Sequence, residues 1–325
     1  MDVIAAVITD AGGRVLLARR TEGRDLAGAW EFPGGKREPG ETAEAALARE
    51  LQEELGIDVD VGDPLIAVPQ AYPHKRLRLD VRHIRAWRGT PRGQEGQALA
   101  WVPPDKLPNY AMPPADRPVV AALLRPDRYV VTPALGDDEA AWLKSLERTL
   151  QHHHASGPGA PLWEPPWRRA LPLVQLRSPG TDPARWHATC RNAVDICRAA
   201  GAPVLVNGDI AMARDLEVGV HLQARQLAAL SERPLATGLP VAASCHTLDE
   251  LRAAEALGCD FAVLGPVRET ASHPGAQGIG WPAFADMREH VSLPIYAIGG
   301  LAPEHLAEAR KHGAQGIAAI RSLWR

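Results

Sequence analysis

A single segment, residues 35–57, constrains the fold of this chain more than any other. No helix-breaking residue occurs between Thr42 and Leu55, and leucine recurs at 47, 51 and 55, the i, i+4, i+8 spacing of one buried helix face. Gly56 follows as a C-terminal stop. The pattern therefore predicts an amphipathic helix that packs against a core and follows directly on a glycine-rich loop.

A different face of that predicted helix is acidic. Glu50, Glu53 and Glu54 stand at i, i+3 and i+4, where side chains are neighbours, and Arg49 is the nearest basic residue on the helix. Three such carboxylates repel one another, and a divalent cation that prefers oxygen ligands, such as Mg²⁺, would reverse that cost. A merely solvated acidic face would not explain the glycine loop before the helix. It would also not explain Glu41 and Arg49, which are fixed positions of the pattern described next.

Written as a pattern, the segment is G-x5-E-x7-R-E-U-x-E-E-x-G-U with U aliphatic, and every fixed position is filled. It resembles the Nudix box, the metal-binding signature of hydrolases that cut nucleoside diphosphates linked to another group. The resemblance implies Mg²⁺, or alternatively Mn²⁺, as cofactor and an N-terminal α/β/α sandwich around a mixed sheet. It also implies the following roles: Glu50, Glu53 and Glu54 as metal ligands, the backbone carbonyl of Gly34 or Gly35 as a further ligand, Glu50 or a more distant carboxylate as general base, and Glu41 with Arg49 as the ion pair that holds the loop against the helix.

Beyond the box, residues 1–125 are most similar to the MutT-type 8-oxo-dGTP diphosphatases. The similarity lies in Arg19-Arg20, in Trp30 to Lys36, in Gly93 to Gln97 and in Pro113 to Pro118. It implies that Glu95 completes the metal site or serves as base, that Arg20 faces the substrate and that Phe32 walls the base pocket. The expected reaction is hydrolysis of 8-oxo-dGTP to 8-oxo-dGMP and diphosphate, which cleanses the nucleotide pool and avoids mutation.

One position departs from that family. After Pro-Pro-Ala the family usually has Asn, whose amide both donates to and accepts from the edge of 8-oxoguanine, whereas this chain has Asp116. An ionised carboxylate only accepts hydrogen bonds, so it could take the N7–H proton but would leave the O6 without a donor. A buried, protonated Asp116 would restore the donor.

From about residue 128 onward the pattern changes to alternating strand and helix. The eight candidate strands are Tyr129–Thr132, Leu173–Leu176, Val204–Asn207, Gly219–Leu222, Val241–Ser244, Phe261–Leu264, Ile295–Ile298 and Gly316–Ile320. Eight strands with helical connections between most pairs predict a (β/α)8 barrel over residues 128–325. The fold class is therefore α/β throughout, with two domains.

The strand ends of this second domain resemble the thiamine phosphate synthase and thiazole tautomerase (TenI-like) barrels, over the whole predicted domain. Chemistry in such barrels lies at the C-terminal ends of the strands. The matching motifs are Gln175-Leu-Arg177, Val206-Asn207, Gly219 to Leu222, Ser244 to Thr247, Gly265 to Val267 with Glu269-Thr270, Ala297 to Gly300 and Gly316 to Ile320. The resemblance implies that Gln175, Arg177 and Asn207 bind ligand, and that Gly299, Gly300 and Arg321 at the start of a last helix form a phosphate cradle.

Four departures argue against a working synthase. Pro179 and His273 stand where the family has lysine, Gly208 stands where it has aspartate, and the second metal aspartate falls near Gln226. Two interpretations remain open. In one, His246 shuttles protons in a tautomerase that isomerises a phosphorylated thiazole without a metal. In the other, the barrel only binds a phosphorylated ligand or stabilises its neighbour.

Two further alternatives concern the N-terminal domain. Its substrate could be a thiamine-related diphosphate, because the partner domain resembles enzymes of that pathway. It could also be a sensor that binds nucleotide without cutting it, although no carboxylate of the box is missing.

Composition limits the remaining function classes. A formal net charge of −3 gives no basic footprint for duplex nucleic acid, and no apolar run approaches the ~20 residues of a membrane span. The four cysteines form no CxxC pair, and the N-terminus lacks the pattern of a signal peptide, which favours the cytoplasm. His152-His153-His154 point in three directions on a helix, so we expect an exposed helix end rather than a metal site.

Overall fold

The computed structural model describes residues 1–23, 25–155, 171–269 and 277–325, with no account of the side chains of residues 154 and 155. The chain divides into two compact units. One comprises Met1–Leu124 with Arg310–Gly313, and the other comprises Arg125–Ala309 with Ala314–Arg325. Within the described residues no helix is both long and apolar enough to cross a bilayer.

The N-terminal unit contains two small sheets. Its strands are β1 (Asp2–Val7), β2 (Val15–Arg19), β3 (Trp30–Glu31), β4 (Gly34–Lys36), β5 (Asp58–Tyr72), β6 (Lys75–Arg88) and β7 (Leu99–Val102). A mixed sheet has the order β4-β1-β6-β5, in which only the β1–β6 pair is parallel, and an antiparallel sheet has the order β3-β2-β7. This confirms the mixed α/β fold predicted for the first domain. β5, with 15 residues, is the longest strand described.

The residues Asp10-Ala-Gly-Gly, a sequence typical of a β-hairpin turn, form a turn without an extended hairpin. Asp10 Oδ1 accepts hydrogen bonds from the backbone N–H groups of Gly12 and Arg14, at 2.9 and 2.8 Å. Beyond one isolated bridge between Thr9 and Val15 the chain segments diverge, and β1 and β2 join different sheets. The turn residues therefore specified the reversal of the chain but not the pairing of the strands.

The box helix, α1, spans Ala43–Leu55 and has both predicted ends. Thr42 Oγ1 accepts from Ala45 N at the N-terminus, and Gly56 adopts a left-handed conformation (φ 68°) at the C-terminus. The leucine stripe is fully buried beside residues of β1 and β2 in one core cluster. The remaining helical elements of this unit are 3-10 turns at Pro104–Asn109 and Pro114–Asp116, followed by α2 (Arg117–Leu124).

The second unit is a closed barrel of eight parallel strands, as predicted. In chain order the strands are β8 (Arg128–Val131), β9 (Leu173–Leu176), β10 (Val204–Asn207), β11 (Gly219–Leu222), β12 (Val241–Cys245), β13 (Phe261–Leu264), β14 (Ile295–Ile298) and β15 (Gly316–Ala319). The floor of the barrel is aromatic. Tyr129, Phe261 and Tyr296 meet with ring centroids 5.3 to 5.7 Å apart, so the interior is a packed core rather than a channel.

Helices connect most of the barrel strands. They are α3 (Glu139–Ala155), α4 (Pro183–Ala200), α5 (Ile210–Asp215), α6 (Ala224–Leu227), α7 (Leu248–Ala256), α8 (Gly280–Arg288) and α9 (Leu306–Lys311), with a 3-10 turn at Pro303–His305. No helix follows β15: residues 321–323 form a turn with one i→i−4 bond, from Trp324 N to Ile320 O. The last helix expected at Arg321 is therefore absent, since a single such bond does not propagate a helix.

The histidine run in α3 also differs from the expectation of an exposed helix end. His152 is exposed, but His153 is buried, with Nε2 2.9 Å from the carbonyl oxygen of Leu323 and Nδ1 3.1 Å from Arg128 Nη1. The reason is that successive residues on a helix point in different directions. His153 turns toward the barrel, and its ring nitrogens lie within hydrogen-bonding distance of two polar partners there.

Candidate active sites

Two glycines of β4 bring the acidic face of α1 against the mixed sheet. The backbone N–H of Gly34 donates to Glu54 Oε2 at 3.1 Å. A Cβ on Gly35 would lie only 2.0 Å from Glu50 Oε2, so a side chain there would displace that carboxylate. Position 35 therefore requires glycine because the Glu50 carboxylate packs directly on the backbone.

Arg49 links the glycine loop to the helix. Its Nε and Nη2 each lie 2.9 Å from one oxygen of Glu41, and Nη2 also donates to the backbone oxygen of Lys36 at 3.1 Å. Its Nη1 reaches Glu50 at 2.8 Å and Glu53 at 3.4 Å. The bonds from Arg49, with one from the backbone N–H of Glu38, lower the pKa of Glu41 to about 2, so its carboxyl stays ionised even in mild acid.

Glu95 lies in a loop that is fastened to the end of α1. The backbone N–H of Gln94 and the side-chain amide of Gln97 both donate to the carbonyl of Glu54, at 2.9 and 3.0 Å. Glu95 is exposed, and its own N–H donates to Gln97 Oε1 at 2.9 Å. The loop thus uses carbonyls that the helix end leaves unpaired, which fixes Glu95 one residue from a direct contact with α1.

The carboxylates of α1 fit a hard divalent cation in their chemistry and in their support. Oxygen is the ligand atom that Mg²⁺ prefers, and the Glu50 and Glu54 side chains are already held at β4. In the described ranges, however, no three Asp, Glu, His or Cys side chains are gathered closely enough to hold a metal ion. Arg49 lies between Glu50 and Glu53 in this arrangement, so a cation bound there would take over part of the role of its positive charge.

A pocket of about 320 Å³ opens between the loop after β2 and the tip of the β5–β6 hairpin. Its lining combines apolar and charged groups: Arg20, Asp25, Leu26, Tyr72, Pro73, His74, Lys75, Leu77 and Pro113. Lys75 Nζ pairs with Asp25 at 2.6 Å, which joins the two rims. Arg20 thus lies in the pocket wall, whereas the Phe32 ring packs in the core rather than in that wall. Only the backbone of Phe32 contributes here, because its N–H points to Asp116.

Asp116 is the buried carboxyl beside this pocket. It is 6% exposed, and its Oδ1 accepts from Phe32 N at 3.3 Å. Burial and the negative charge of Glu31 raise its pKa to about 7, against the opposing influence of the Phe32 N–H and Arg20. Its charge also acts on Tyr72, whose pKa is raised chiefly by burial. Near neutral pH Asp116 therefore exists both with and without its proton.

In the barrel, three of the predicted ligand-binding residues lie at the C-terminal ends of neighbouring strands. Gln175 Nε2 donates to Asn207 Oδ1 at 3.0 Å. The backbone N–H and carbonyl of Arg177 both bond to Thr132 Oγ1, at 2.9 and 3.0 Å. Gly299 is buried with φ +103°, Gly300 is exposed with φ +63°, and Arg321 is exposed.

His246 follows β12 and is exposed. Its Nδ1 lies 2.7 Å from the carbonyl oxygen of Gly265, and its backbone N–H donates to Glu250 at 2.5 Å. A carbonyl only accepts, so Nδ1 carries a proton, and in the neutral imidazole the lone pair lies on Nε2. The ring is thereby oriented with its basic nitrogen away from Gly265.

Neutral groups occupy the positions where the sequence departs from a synthase. Gln226 Nε2 donates to the carbonyl of Gly208 at 2.8 Å, and Gln226 Oε1 accepts from Gln223 N at 2.9 Å. Gly208 has φ +74°, a conformation that aspartate adopts only at a cost. The arrangement does not fit a metal held by two carboxylates, because neither Gly208 nor Gln226 supplies one. His273 and Thr270 lie outside the described residues.

Several polar residues at these sites were not identified as site residues from the sequence. Glu31 lies between Trp30 and Phe32. A charged residue between two large hydrophobic residues could have indicated that it is a site residue. His221 is buried between Tyr129 Oη (3.0 Å from Nδ1) and Ser244 Oγ (2.8 Å from Nε2). Burial, and secondarily Arg177, lower the pKa of His221 to about 3, so it stays neutral. Its inward position could have been read from the alternation along Gly219–Leu222.

Comparison with known proteins agrees with both parts of the chain. Residues 136–323 match the family model described as thiamine monophosphate synthase, and residues 4–122 match the NUDIX domain model. Over 124 residues the chain is 40% identical to the CTP pyrophosphohydrolase of Escherichia coli K12 and 38% identical to the 8-oxo-dGTP diphosphatase of Haemophilus influenzae, each match covering 38% of this chain and 91% of the relative. It is 35% identical over 132 residues to the thiamine-phosphate synthase of Chloroflexus aurantiacus, covering 40% of this chain and 61% of that protein.

The fold and the box define a Nudix hydrolase of the MutT-like type, carried on the same chain as a TIM barrel. Because the matched segment 136–323 is more than half of its length, the chain belongs to the thiamine monophosphate synthase family.

Proposed function

We propose that the Nudix unit hydrolyses 8-oxo-dGTP to 8-oxo-dGMP and diphosphate and so removes an oxidised precursor from the nucleotide pool. The observation that carries the proposal is the pairing of a complete box with a buried carboxyl beside a pocket. The box holds Glu50 and Glu54 against β4, and Asp116 lies next to the pocket wall with a pKa of about 7. A carboxyl that keeps its proton can both donate to O6 and accept from N7–H of 8-oxoguanine.

In this proposal Glu50, Glu53, Glu54 and Glu95, with a backbone carbonyl of Gly34 or Gly35, would hold Mg²⁺, and Mn²⁺ would serve in its place. When bound, the metal supplies charge neutralisation on the phosphates and lowers the pKa of water. The protein's own part is to deliver the base and to orient the substrate. Glu50 or Glu95 would take the proton of the attacking water, whose oxygen forms a bond to one phosphorus of the α–β anhydride. The bond from that phosphorus to the bridging oxygen breaks, which gives 8-oxo-dGMP and diphosphate.

Arg20 and Asp116 would orient the nucleotide from the pocket side. Arg20 is a fixed cation, because its Nε donates to the carbonyl of Asp25 at 2.6 Å and its Nη1 pairs with Glu31. It would attract the polyanionic substrate or contact the base edge. The substrate is thus held at the base and the phosphates by different groups, which allows base selection without changing the hydrolytic machinery.

The test is a substrate panel with the intact chain and Mg²⁺. The panel contains 8-oxo-dGTP, dGTP, dCTP, CTP, a pyrimidine diphosphate and thiamine diphosphate, and kcat/KM is measured for each with product identification. We expect 8-oxo-dGTP to exceed dGTP clearly and to release diphosphate. Equal kcat/KM for 8-oxo-dGTP, dGTP and dCTP would refute the sanitising role, and inactivity on the whole panel would favour a nucleotide sensor.

A second candidate substrate is a cytidine nucleotide. The 40% identical relative is named a CTP pyrophosphohydrolase, and cytosine presents an amine donor next to a ring-nitrogen acceptor. A protonated Asp116 would complement that pair as well as it complements the edge of 8-oxoguanine. A kcat/KM for CTP or dCTP above that for 8-oxo-dGTP would favour this candidate, and a preference for thiamine-related diphosphates would assign the unit to the pathway of the barrel's family.

For the barrel we propose a phosphorylated heterocycle as ligand, with His246 as the proton-transfer group of a thiazole phosphate isomerase. The support is the fixed orientation of the His246 ring and the neutral Gln226–Gly208 link, which leaves a metal-free strand end. Gln175, Asn207 and Arg177 would contact the ligand, and Gly299, Gly300 and Arg321 would hold its phosphate.

The barrel proposal is tested with thiazole carboxylate phosphate and the full chain. Isomerisation that is lost in His246→Ala, with the affinity for the ligand retained, supports proton transfer by His246. Binding without turnover in either protein would instead assign the barrel a ligand-binding role.

A further inference from the structure

Three charged side chains from three different elements meet beside the nucleotide pocket. Glu31 on β3 forms an ion pair with Arg20, which follows β2, and both side chains are about 20% exposed. Asp116, in the 3-10 turn Pro114–Asp116, is more deeply buried and accepts a hydrogen bond from Phe32 N, the backbone group next to Glu31. Two carboxyls and one guanidinium therefore share one partly dehydrated region.

Within residues 1–23 and 25–155, Arg20 is the cation whose charge acts on Asp116, and the hydrogen bonds described for Arg20 go to other groups. Nη1 engages Glu31 and Nε engages the carbonyl of Asp25. Among the described residues, the other titratable groups at this place include Tyr72 of β5, whose charge interacts with that of Asp116. The pocket-lining His74, Lys75 and Asp25 also belong to this group, and Lys75 pairs with Asp25. The positive charge of Arg20, which could neutralise an ionised Asp116, is thus paired with Glu31.

We infer that Glu31 is a specificity-determining positioning residue, which engages Arg20 and thereby keeps Asp116 in the proton-bearing form that reads a base edge with one donor and one acceptor. The inference rests on the proposed function, because it concerns the base reader of that site. It adds a residue that need not touch the substrate and that acts through Asp116.

Glu31 and Arg20 shift the pKa of Asp116 in opposite directions. Removing the negative charge of Glu31 lowers the pKa of Asp116, because a neighbouring anion favours the neutral form of a carboxyl. It also frees the Arg20 guanidinium, which lowers the same pKa further. Removing the positive charge of Arg20 acts in the opposite direction. The substitutions Glu31→Gln and Arg20→Gln should therefore shift the titration of one unchanged residue in opposite directions.

The consequence for recognition follows from hydrogen-bond chemistry. A protonated carboxyl donates one bond and accepts others, whereas a carboxylate only accepts. With Asp116 ionised, a base that presents a donor beside an acceptor loses one of its two bonds, and its acceptor faces a negative charge. Affinity for such a base should fall as pH rises through the titration of Asp116, and the rate of hydrolysis of bound substrate should change less.

The first experiment needs no substrate. The carboxyl carbon of Asp116 is followed by ¹³C NMR in the intact protein, assigned by its absence in Asp116→Asn. We expect Glu31→Gln to lower the Asp116 titration midpoint by about one pH unit or more, Arg20→Gln to raise it, and Glu31→Asp to leave it nearly unchanged. Asp105→Asn, an exposed change elsewhere in the same unit, is the control. An unshifted midpoint in Glu31→Gln would overturn the inference, whatever the result for Arg20→Gln.

The second experiment measures KM and kcat for 8-oxo-dGTP and CTP from pH 5.5 to 8.5. In Glu31→Gln we expect the rise of KM with pH to occur at lower pH than in the wild-type protein. In Asp116→Asn, and in the double variant that combines Glu31→Gln with Asp116→Asn, we expect KM not to change with pH. A pH profile in the double variant that still depends on residue 31 would show that Glu31 acts by another route. Inactivity of the wild-type protein on every nucleotide would defeat the proposed function alone, because the NMR titration still decides the role of Glu31.

Discussion

Arg49 holds both oxygens of Glu41, one at 2.9 Å from Nε and the other at 2.9 Å from Nη2. This two-bond geometry joins the glycine loop to α1 across eight residues of sequence. Glu38 N donates to the same Glu41 carboxylate at 2.9 Å, so the loop backbone is held as well. The pair therefore sets the position of Arg49, which also contacts Glu50 and Glu53, and through it the arrangement of the acidic face.

Glu41→Gln should reduce hydrolysis without abolishing it. An amide offers one acceptor where the carboxylate offers two, so one charge-assisted bond to Arg49 is lost. We expect kcat to fall about tenfold, as for other groups that orient metal ligands, with little change in KM for nucleotide. Steady-state kinetics at saturating Mg²⁺ measure this, with Asp105→Asn as the control. A kcat equal to that of the control would contradict the structural role of the pair.

Glu53→Gln should separate catalysis from stability. The Glu53 side chain is 61% exposed, so its loss should cost little free energy of unfolding. If Glu53 is a metal ligand, as proposed, the substitution should lower kcat about 100-fold or more. Glu44→Gln is the matched control, since Glu44 lies on the same helix, is 54% exposed and pairs with Arg82 instead. Mg²⁺ titrations of kcat and thermal melting distinguish the two variants. Full turnover of Glu53→Gln at saturating Mg²⁺ would show that this face of α1 is not the metal site.

The buried carboxyl of Asp116 should make stability depend on pH in a definite direction. Its pKa is about 7 in the folded protein, against the 3.8 of an unperturbed aspartate, so the folded state binds the proton more tightly. Stability from this group is therefore present below about pH 4 and declines as pH rises to about 7, by an upper bound on the order of 4 kcal/mol. Asp116→Asn lacks this decline, and denaturant unfolding at pH 5, 6 and 7.5 compares the two. Parallel pH curves for both proteins would refute the raised pKa.

His153→Ala should destabilise the barrel, whereas His152→Ala should not. His153 is buried and bonded at both ring nitrogens, and each lost partner leaves a polar group of Arg128 or Leu323 without its bond. We expect a loss of about 1–3 kcal/mol for His153→Ala and less than 0.5 for the exposed neighbour. Burial lowers the pKa of His153, so the wild-type protein should also lose stability as pH falls below 6.5. Equal melting temperatures for the two variants would contradict this assignment.

The sequence predicted those elements whose determinants are local. The leucine spacing, Thr42 and Gly56 specify α1 to the residue, and the apolar runs bounded by glycine and proline specify the eight barrel strands within a residue or two. The turn at Asp10 to Gly13 was equally local. The pairing of β1 and β2 in different sheets has no such local determinant, because it depends on distant segments: β1 pairs with β6, and β2 pairs with β7.

The contributions that the sequence left undetermined depend on burial and on partners from elsewhere in the chain. Asp116 was recognised as a departure, but its protonation depends on dehydration and on Glu31, 85 positions earlier, which no local pattern reveals. His153 was expected in solvent because its partner carbonyl belongs to Leu323, far along the chain. Phe32 is buried in a core cluster and its N–H donates to Asp116, whereas its place in the wall of a base pocket stays a prediction.

The bond from Gln226 to the carbonyl of Gly208 joins α6, which follows β11, to the residue after β10 through an uncharged side chain. An amide does not titrate at physiological pH and does not depend on a cation for its place. Chelators that strip magnesium, or shifts in acidity that silence phosphoanhydride cleavage, should leave this corner of the barrel unchanged. One polypeptide would then combine a half that responds to its ionic surroundings with a half that ignores them.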